Sequence, residues 1–395
     1  MRVVFVPDVG EYYGATEALL QLITLLAEQY DVEPVILTSG TDRIARFAQE
    51  HGFESYAIGH LAFLDWPGST PIKRVIKMIL RPVLIWRYQY RNWLAMKKAE
   101  AYVDFSKVDL IHTNVNRNDI GALLAKKHNI PHVWHIREFG DTHEKLVSLR
   151  KNHISFMNDH TAVFSVISGA VAENWATKGI EREKMRHVYD GVDENRFRLQ
   201  NMEKKDRSLR IVFCGSVSEP KGQWQLIEAI ACLEPQEQKR IQVDIYGTGT
   251  KGYTAFLHRK IQEYGLENIV HMCGYCDCLE TKLPDYEIGM MCSRAEGFGL
   301  VTVEYMMSGL CVIASDTGAN PELVLDGECG LLYRYGDVEN LADKLRFALT
   351  HRDEIRGMGT KAREHACKNF TADANAKQIY AIYQELLADK NGNAG

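Results

Sequence analysis

Two doubly wound α/β domains are what this sequence predicts, on three observations. Short apolar runs alternate with segments of helical period along the chain, and the pattern restarts after a polar, charged stretch at 198–208. A length of 395 residues suffices for two domains of ordinary size, each with its own core. Strands separated by helices of this length imply parallel pairing through right-handed crossovers. Open parallel sheets bind ligands outside the carboxyl ends of their strands, so a cleft between the two domains is expected.

In the first domain, set at 1–197, residues 3–6 read as a strand. Residues 15–28 read as a helix through Leu19, Leu22, Ile23 and Leu26. Strand 32–37 and helix 42–50 follow, then strands 109–112 and 132–135 around helix 120–128, then strand 163–167. In the second domain, set at 208–370, strands are expected at 210–214, 242–246, 269–272, 288–291 and 312–314, with a helix at 224–233. A last helix at 371–390 is expected to pack back across the cleft.

Composition is that of a water-soluble globular chain, 46% hydrophobic and 25% charged. The net charge of −5 gives no reason to expect nucleic acid as a partner. No run of eighteen apolar residues is present, and the first residues read as a strand, so neither a membrane span nor a signal peptide is expected. All nine cysteines lie from Cys214 onward, and an odd count fits reduced thiols and a cytoplasmic location.

The most informative stretch is Glu296-Gly-Phe-Gly-Leu-Val-Thr-Val-Glu304. It leaves the strand 288–291 and enters a helix that closes on Gly309, so Glu296 falls on the loop and Glu304 inside the helix. A strand, a small-residue loop and a helix N-terminus together suit a phosphate. Carboxylates there would repel the anion unless they accept hydrogen bonds from sugar hydroxyls. Phosphate beside polyol points to a nucleotide sugar. Gly215-Ser-Val-Ser-Glu-Pro-Lys221-Gly222 also joins a strand to a helix, and a lysine there suits a diphosphate, although a solvated lysine on a turn would read the same way.

Gly247-Thr-Gly-Thr-Lys-Gly252 fits the dinucleotide glycine pattern, but no acidic residue stands where a ribose would need one. Its glycines are read as letting the nucleotide approach the backbone. Gly14, in the loop after the first strand, would admit a substrate closely; a plain turn explains it equally. His135 ends a strand, where a histidine can donate to a sugar hydroxyl or shuttle a proton, and a structurally satisfied histidine is the common alternative. Arg137 is free to pair with Glu138 or with a phosphate. Cys273, Cys276 and Cys278 with His271 offer zinc-type ligands without the second pair that zinc sites show, so no metal is assigned. Residues 72–98 carry eight basic residues and no acid, interleaved with aliphatics and aromatics and broken by Pro82. They fit a segment lying on an anionic membrane surface, or a helix pair with a solvated face.

These residues resemble the family 4 retaining nucleotide-sugar glycosyltransferases, most strongly over 210–337. The two glutamates with seven residues between them are that family's signature, supported by Lys221-Gly222, by Val188-Tyr-Asp-Gly-Val-Asp193 and by the segments 314–322 and 326–332. The resemblance implies the GT-B fold of two Rossmann-like domains facing a central cleft. It implies donor-sugar contact by Glu296, ribose binding by Glu304, diphosphate binding by Lys221, a glycine loop at Gly14, and His135 near the transferred sugar. Gly215, Ser216, Gly247, Arg294, Gly297, Phe298, Gly299 and Leu300 complete the expected donor site, and Tyr12, Gly14 and Arg137 the acceptor site. Three departures stand out: Ser216 where many relatives have arginine, Asp190 in place of asparagine, and Tyr305 in place of alanine.

The expected reaction is retaining transfer of a sugar to a hydroxyl of a saccharide, lipid-linked on the inner membrane face. Neither metal nor cofactor is expected, because fixed positive groups meet the diphosphate. A sugar-nucleotide epimerase, a phosphorylase and a non-catalytic sugar-nucleotide-binding subunit are the competing readings.

Overall fold

The computed structural model describes residues 1–9, 13–40, 42–65, 70–140, 146–199 and 208–392. Tyr12 and most of the expected linker lie outside the described residues. The chain divides into two compact units, Met1–Gly191 with Ala372–Gly395, and Val192–Thr371.

The N-terminal unit holds strands β1 (Arg2–Val6), β2 (Glu33–Thr38), β3 (Glu54–Ala57), β4 (Leu64–Asp65), β5 (Leu110–Asn114), β6 (His132–Ile136), β7 (Val147–Ser148), β8 (Val163–Val166) and β9 (Met185–His187). Seven of these form one parallel sheet in the order β3-β2-β1-β5-β6-β8-β9, and β4 pairs with β7 in a separate antiparallel ribbon. Successive side chains of a strand face opposite sides. Val3 and Phe5 therefore join Leu19 and Ile23 of helix Tyr13–Tyr30 and Tyr383 of the last helix, Ala372–Gly392. Val4 and Val6 join Ala95 and Ala99 of helix Arg81–Tyr102 and Leu124 of helix Ile120–His128 on the other face. Covered on both faces, the central strands are continuous apolar runs, which is what made them readable.

The C-terminal unit holds β10 (Leu209–Cys214), β11 (Ile241–Tyr246), β12 (Val270–Gly274), β13 (Ile288–Met291), β14 (Cys311–Ser315) and β15 (Gly330–Tyr333). All are parallel, in the order β12-β11-β10-β13-β14-β15. Numbered within the unit this is 3-2-1-4-5-6, the doubly wound order whose winding reverses between β10 and β13. That reversal leaves a crevice at the carboxyl ends of these two strands.

Among the strands, β3 and β9 escaped the sequence reading, as did β4, β7 and β15, and so did helices Gly169–Thr177, Lys251–Glu263, Val338–Thr350 and Arg352–Asn369. The first two are edge strands with few buried residues, so no apolar run announces them. The segment after Thr70 folds as two helices, Pro71–Ile79 and Arg81–Tyr102, separated at Leu80, with Pro82 in the first turn of the second. Gly14 lies in the first turn of helix Tyr13–Tyr30 rather than in a loop, exposed to solvent.

Candidate functional site

Topology brings the two most informative sequence features together. β10 runs into a 3₁₀ turn, Glu219–Lys221, and its neighbour β13 runs into the loop that carries Glu296. The loops emerge side by side. The Arg294 N–H donates to the Pro220 carbonyl at 2.8 Å. Gly222 has φ of 74°, and a Cβ there would sit 2.2 Å from the Cys292 carbonyl oxygen, so only glycine lets the turn lie this close. Lys221 Nζ donates to Glu296 Oε1 at 2.6 Å. Both side chains expected at the donor are thus joined to each other, the lysine a third exposed and the glutamate nearly buried.

A third loop, after β14, supports Glu296 from beneath. Ser315 Oγ and Thr317 Oγ1 donate to the Ser293 carbonyl at 2.7 and 3.0 Å, and the Ala319 N–H donates to the Glu296 carbonyl at 3.0 Å. A Cβ on Gly318 would come within 2.6 Å of the Glu296 backbone nitrogen. None of these residues was picked out as part of the site, although the motif at 314–322 was noticed.

Helix Leu300–Met307 begins at Gly299, which has φ of 97° and supplies no side-chain cap. The first N–H groups of a helix have no intrahelical partner, and here the positive end of the helix lies one turn from Glu296. The helix is fixed by Tyr305, one of the departures noted above. The Cys214 N–H donates to Tyr305 Oη at 2.6 Å, and the ring occupies the space a Cβ on Gly289 would need. Alanine could do neither. Phe298 is buried and packs edge-on against Phe370, with centroids 5.8 Å apart. Glu304 is partly buried, and burial pushes its carboxyl up to about 7 against the opposing pull of Arg196.

Gly215 and Ser216 follow β10, with Ser216 exposed and its carbonyl accepting from Gln223 Nε2 at 2.9 Å. At Gly247 a Cβ would meet the Gly215 carbonyl oxygen at 1.8 Å, so the missing side chain admits the neighbouring backbone. Arg294 is exposed.

In the N-terminal unit, His135 and Arg137 enter a buried polar chain at the carboxyl end of β6. Tyr383 Oη lies 2.6 Å from His112 Nδ1, and His112 Nε2 lies 3.2 Å from His135 Nδ1. Arg137 Nε donates to Asn114 Oδ1 at 2.7 Å. Its Nη1 pairs with Asp190, which gives the aspartate that replaces asparagine a partner. Burial holds His135 well below the ordinary histidine range and His112 down to about 3, so both are neutral. Among the described residues, His135 Nε2, Arg137 Nη2 and Asp190 Oδ1 of this cluster have no hydrogen-bond partner, the first and last lying 3.9 Å apart. Among the described residues no three His, Cys, Asp or Glu side chains gather in a way that could hold a metal ion, and the thiols of Cys273, Cys276 and Cys278 are free.

Comparison with known proteins identifies the family and the fold. Residues 14–196 match the model of Glycosyltransferase Family 4, and residues 194–365 match that of glycosyl transferases group 1. An MMP α-(1→4)-mannosyltransferase of Mycolicibacterium hassiacum is 32% identical over 57% of this chain and 54% of its own length. The lipopolysaccharide core biosynthesis mannosyltransferase LpsB of Rhizobium meliloti is 27% identical over 51% of this chain and 60% of its own. The matched stretches thus span between half and two thirds of these relatives. Among solved structures, Anabaena HepE in complex with UDP and glucose superposes with a TM-score of 0.77 over 98% of this chain and 100% of that one, at 20% identity, a likeness of fold. With both family models matched in succession along it, the chain belongs to the family 4 glycosyltransferases and has their GT-B fold.

Proposed function

We propose that this chain moves a sugar from a nucleoside-diphosphate sugar to a hydroxyl of a saccharide acceptor, with retention of anomeric configuration. The observation that carries the reading is the Lys221–Glu296 pair, set at the winding reversal beside the uncapped start of helix Leu300–Met307. An arriving donor exchanges that contact for two better ones. The ammonium turns to the diphosphate, and the carboxylate accepts hydroxyls of the sugar. Lys221 and the N–H groups of Gly299 and Leu300 then stabilise the charge that grows on the leaving diphosphate. Fixed positive groups in this role make a divalent metal unnecessary. Glu304 accepts the ribose hydroxyls. No carboxylate stands out as a covalent nucleophile, so departure and attack share one face of the sugar, with the leaving phosphate taking the acceptor's proton.

On the N-terminal unit, His135 Nε2 and Arg137 Nη2, without a hydrogen bond among the described residues, are the groups that sugar hydroxyls would satisfy. His135 acts there as a neutral hydrogen-bonding group, since burial disfavours the imidazolium a proton shuttle needs. The names of the relatives, one a lipopolysaccharide core enzyme, favour a lipid-linked saccharide as acceptor, met at the inner face of the membrane through residues 72–98. No helix among the described residues is long and apolar enough to cross a membrane.

The test is an assay of nucleotide release from UDP- and GDP-sugars, with and without saccharide acceptors and with EDTA. Release that depends on acceptor, survives EDTA and gives a product of retained anomeric configuration is expected. Release or epimerisation with donor alone would favour an epimerase or phosphorylase. Binding without turnover would favour the non-catalytic reading.

A further inference from the structure

Helices Pro71–Ile79 and Arg81–Tyr102 expose a continuous stripe. Ile72, Ile76, Ile79, Val83, Trp86, Tyr90 and Trp93 follow one another at alternating steps of four and three residues, and every one is between 46% and 73% exposed. Steps of four and three place side chains on one face of a helix. Seven such residues span about 30 Å at 1.5 Å per residue. The opposite face of the second helix is the one that packs, through Tyr88, Asn92, Ala95 and Ala99. The first helix has no buried residue at all. A nine-residue helix that buries nothing gains little from its own chain, and short isolated helices are marginal in water. Three of the aromatics already stack along the stripe, Trp86 on Tyr90 at 5.4 Å and Tyr90 on Trp93 at 6.1 Å.

An apolar stripe of this period suits either a matching helix or a lipid surface, and charge decides between them. Helical partners of this kind carry complementary charges beside the seam. At 100° per residue Lys73 and Arg87 flank it, while Arg81 and Arg91 reach back to the Ser148 and Gly59 carbonyls, and 72–98 contains eight basic residues and no acid. A second copy would set arginine and lysine against arginine and lysine. An anionic bilayer meets the same residues with opposite charge, takes tryptophan and tyrosine at its headgroup level, and lets arginine stems extend while their heads reach phosphate.

We propose that this stripe is the membrane anchor of the molecule: the two helices lie flat on an anionic bilayer with the seven residues inserted to acyl-boundary depth and the basic residues on headgroup phosphates. This deepens the reading of 72–98 as a membrane contact. The placement is stiff as well as adhesive. Tyr88 and Asn92, on the inward face, both bond Asp119, which also pairs with Arg150, so the stripe is held to the loop that follows β5.

The test is co-sedimentation of the whole chain with vesicles of phosphatidylcholine alone or mixed with phosphatidylglycerol, without any donor or acceptor. Binding is expected only to the mixed vesicles. Trp86→Ser with Trp93→Ser should weaken it about ten-fold, and Arg87→Gln, beside the stripe, about five-fold. These side chains are exposed, so the variants should keep the wild-type melting temperature and donor binding. Equal binding to both vesicle types, or binding unmoved by the tryptophan pair, would overturn the proposal. So would a dimer in sedimentation velocity that the tryptophan pair abolishes, which would give the stripe to a second copy. Because the assay contains no sugar donor, failure of the transferase reading leaves its result intact, and transfer to a soluble acceptor would survive failure of the anchor.

Discussion

The two units wind their sheets alike and treat their polar side chains in opposite ways. At the reversal between β10 and β13, Lys221 and Glu296 form one partly exposed contact on a frame of glycines and backbone hydrogen bonds. At the carboxyl ends of β5 and β6, Asn114, His112, His135, Arg137 and Asp190 are fully interior and mostly committed to one another. Topology supplies a crevice; the polarity and access of its side chains determine what can use it. A lysine a third exposed can leave its carboxylate for a phosphate at little cost. An arginine buried against an aspartate cannot leave without stranding a charge. The Lys221–Glu296 contact is therefore the exchangeable one, and the Arg137–Asp190 cluster a fixed array.

The sharpest way to break this contrast is Arg137→Met. Removing one member of a buried ion pair leaves Asp190 charged and unpaired, and a loss of about 3–5 kcal/mol of stability is expected in denaturant unfolding. An unchanged unfolding midpoint would move Arg137 from the fixed array to the exchangeable kind.

Lys221→Ala and Glu296→Gln make the reciprocal experiment. Each should lower transfer about a hundred- to a thousand-fold, the scale of one lost group that stabilises leaving-group charge or orients the sugar. Neither should shift the melting temperature appreciably, because a partly exposed pair contributes little to folding. Near-normal turnover in either variant would remove the pair from the site, and a large loss of stability would make it a structural contact like its N-terminal counterpart.

What the sequence revealed follows the same physical divide. β1, β5, β6, β10, β13 and β14 are covered on both faces and show as apolar runs, whereas the half-exposed edges β3 and β9 do not. Lys221 and Glu296 were visible because each sits on a glycine-bearing loop between a strand and a helix, a local pattern. Their pairing was not, since it depends on the first and fourth strands of the unit being neighbours across 75 residues. Asp190 was noticed as an odd residue with no role, and its partner lies 53 residues away. Local backbone chemistry is written in adjacent letters; the use of a charge depends on what the fold places against it.

Glu304 gives the smallest effect and the finest discrimination, because it lies between the two kinds of site. It lies in the helix that follows the exchangeable loop, yet burial pushes its carboxyl up to about 7. Ribose hydroxyls donate to the carboxylate and not to the acid, so the donor complex should hold Glu304 ionised, with its pKa below that of the free protein. The complex then binds fewer protons than the free enzyme, and affinity must rise with pH through the free value and level off above it. Below about pH 7 the dissociation constant of a nucleotide sugar should weaken by up to ten-fold per unit, and Glu304→Gln should flatten the profile. A nucleotide sugar is the right probe, since its diphosphate diester does not titrate near neutrality as a free nucleoside diphosphate does. Calorimetric titration across that range would measure it. A flat wild-type profile would mean that Glu304 is ionised before the donor arrives, leaving Arg196, and not the ribose, as the partner that outweighs its burial.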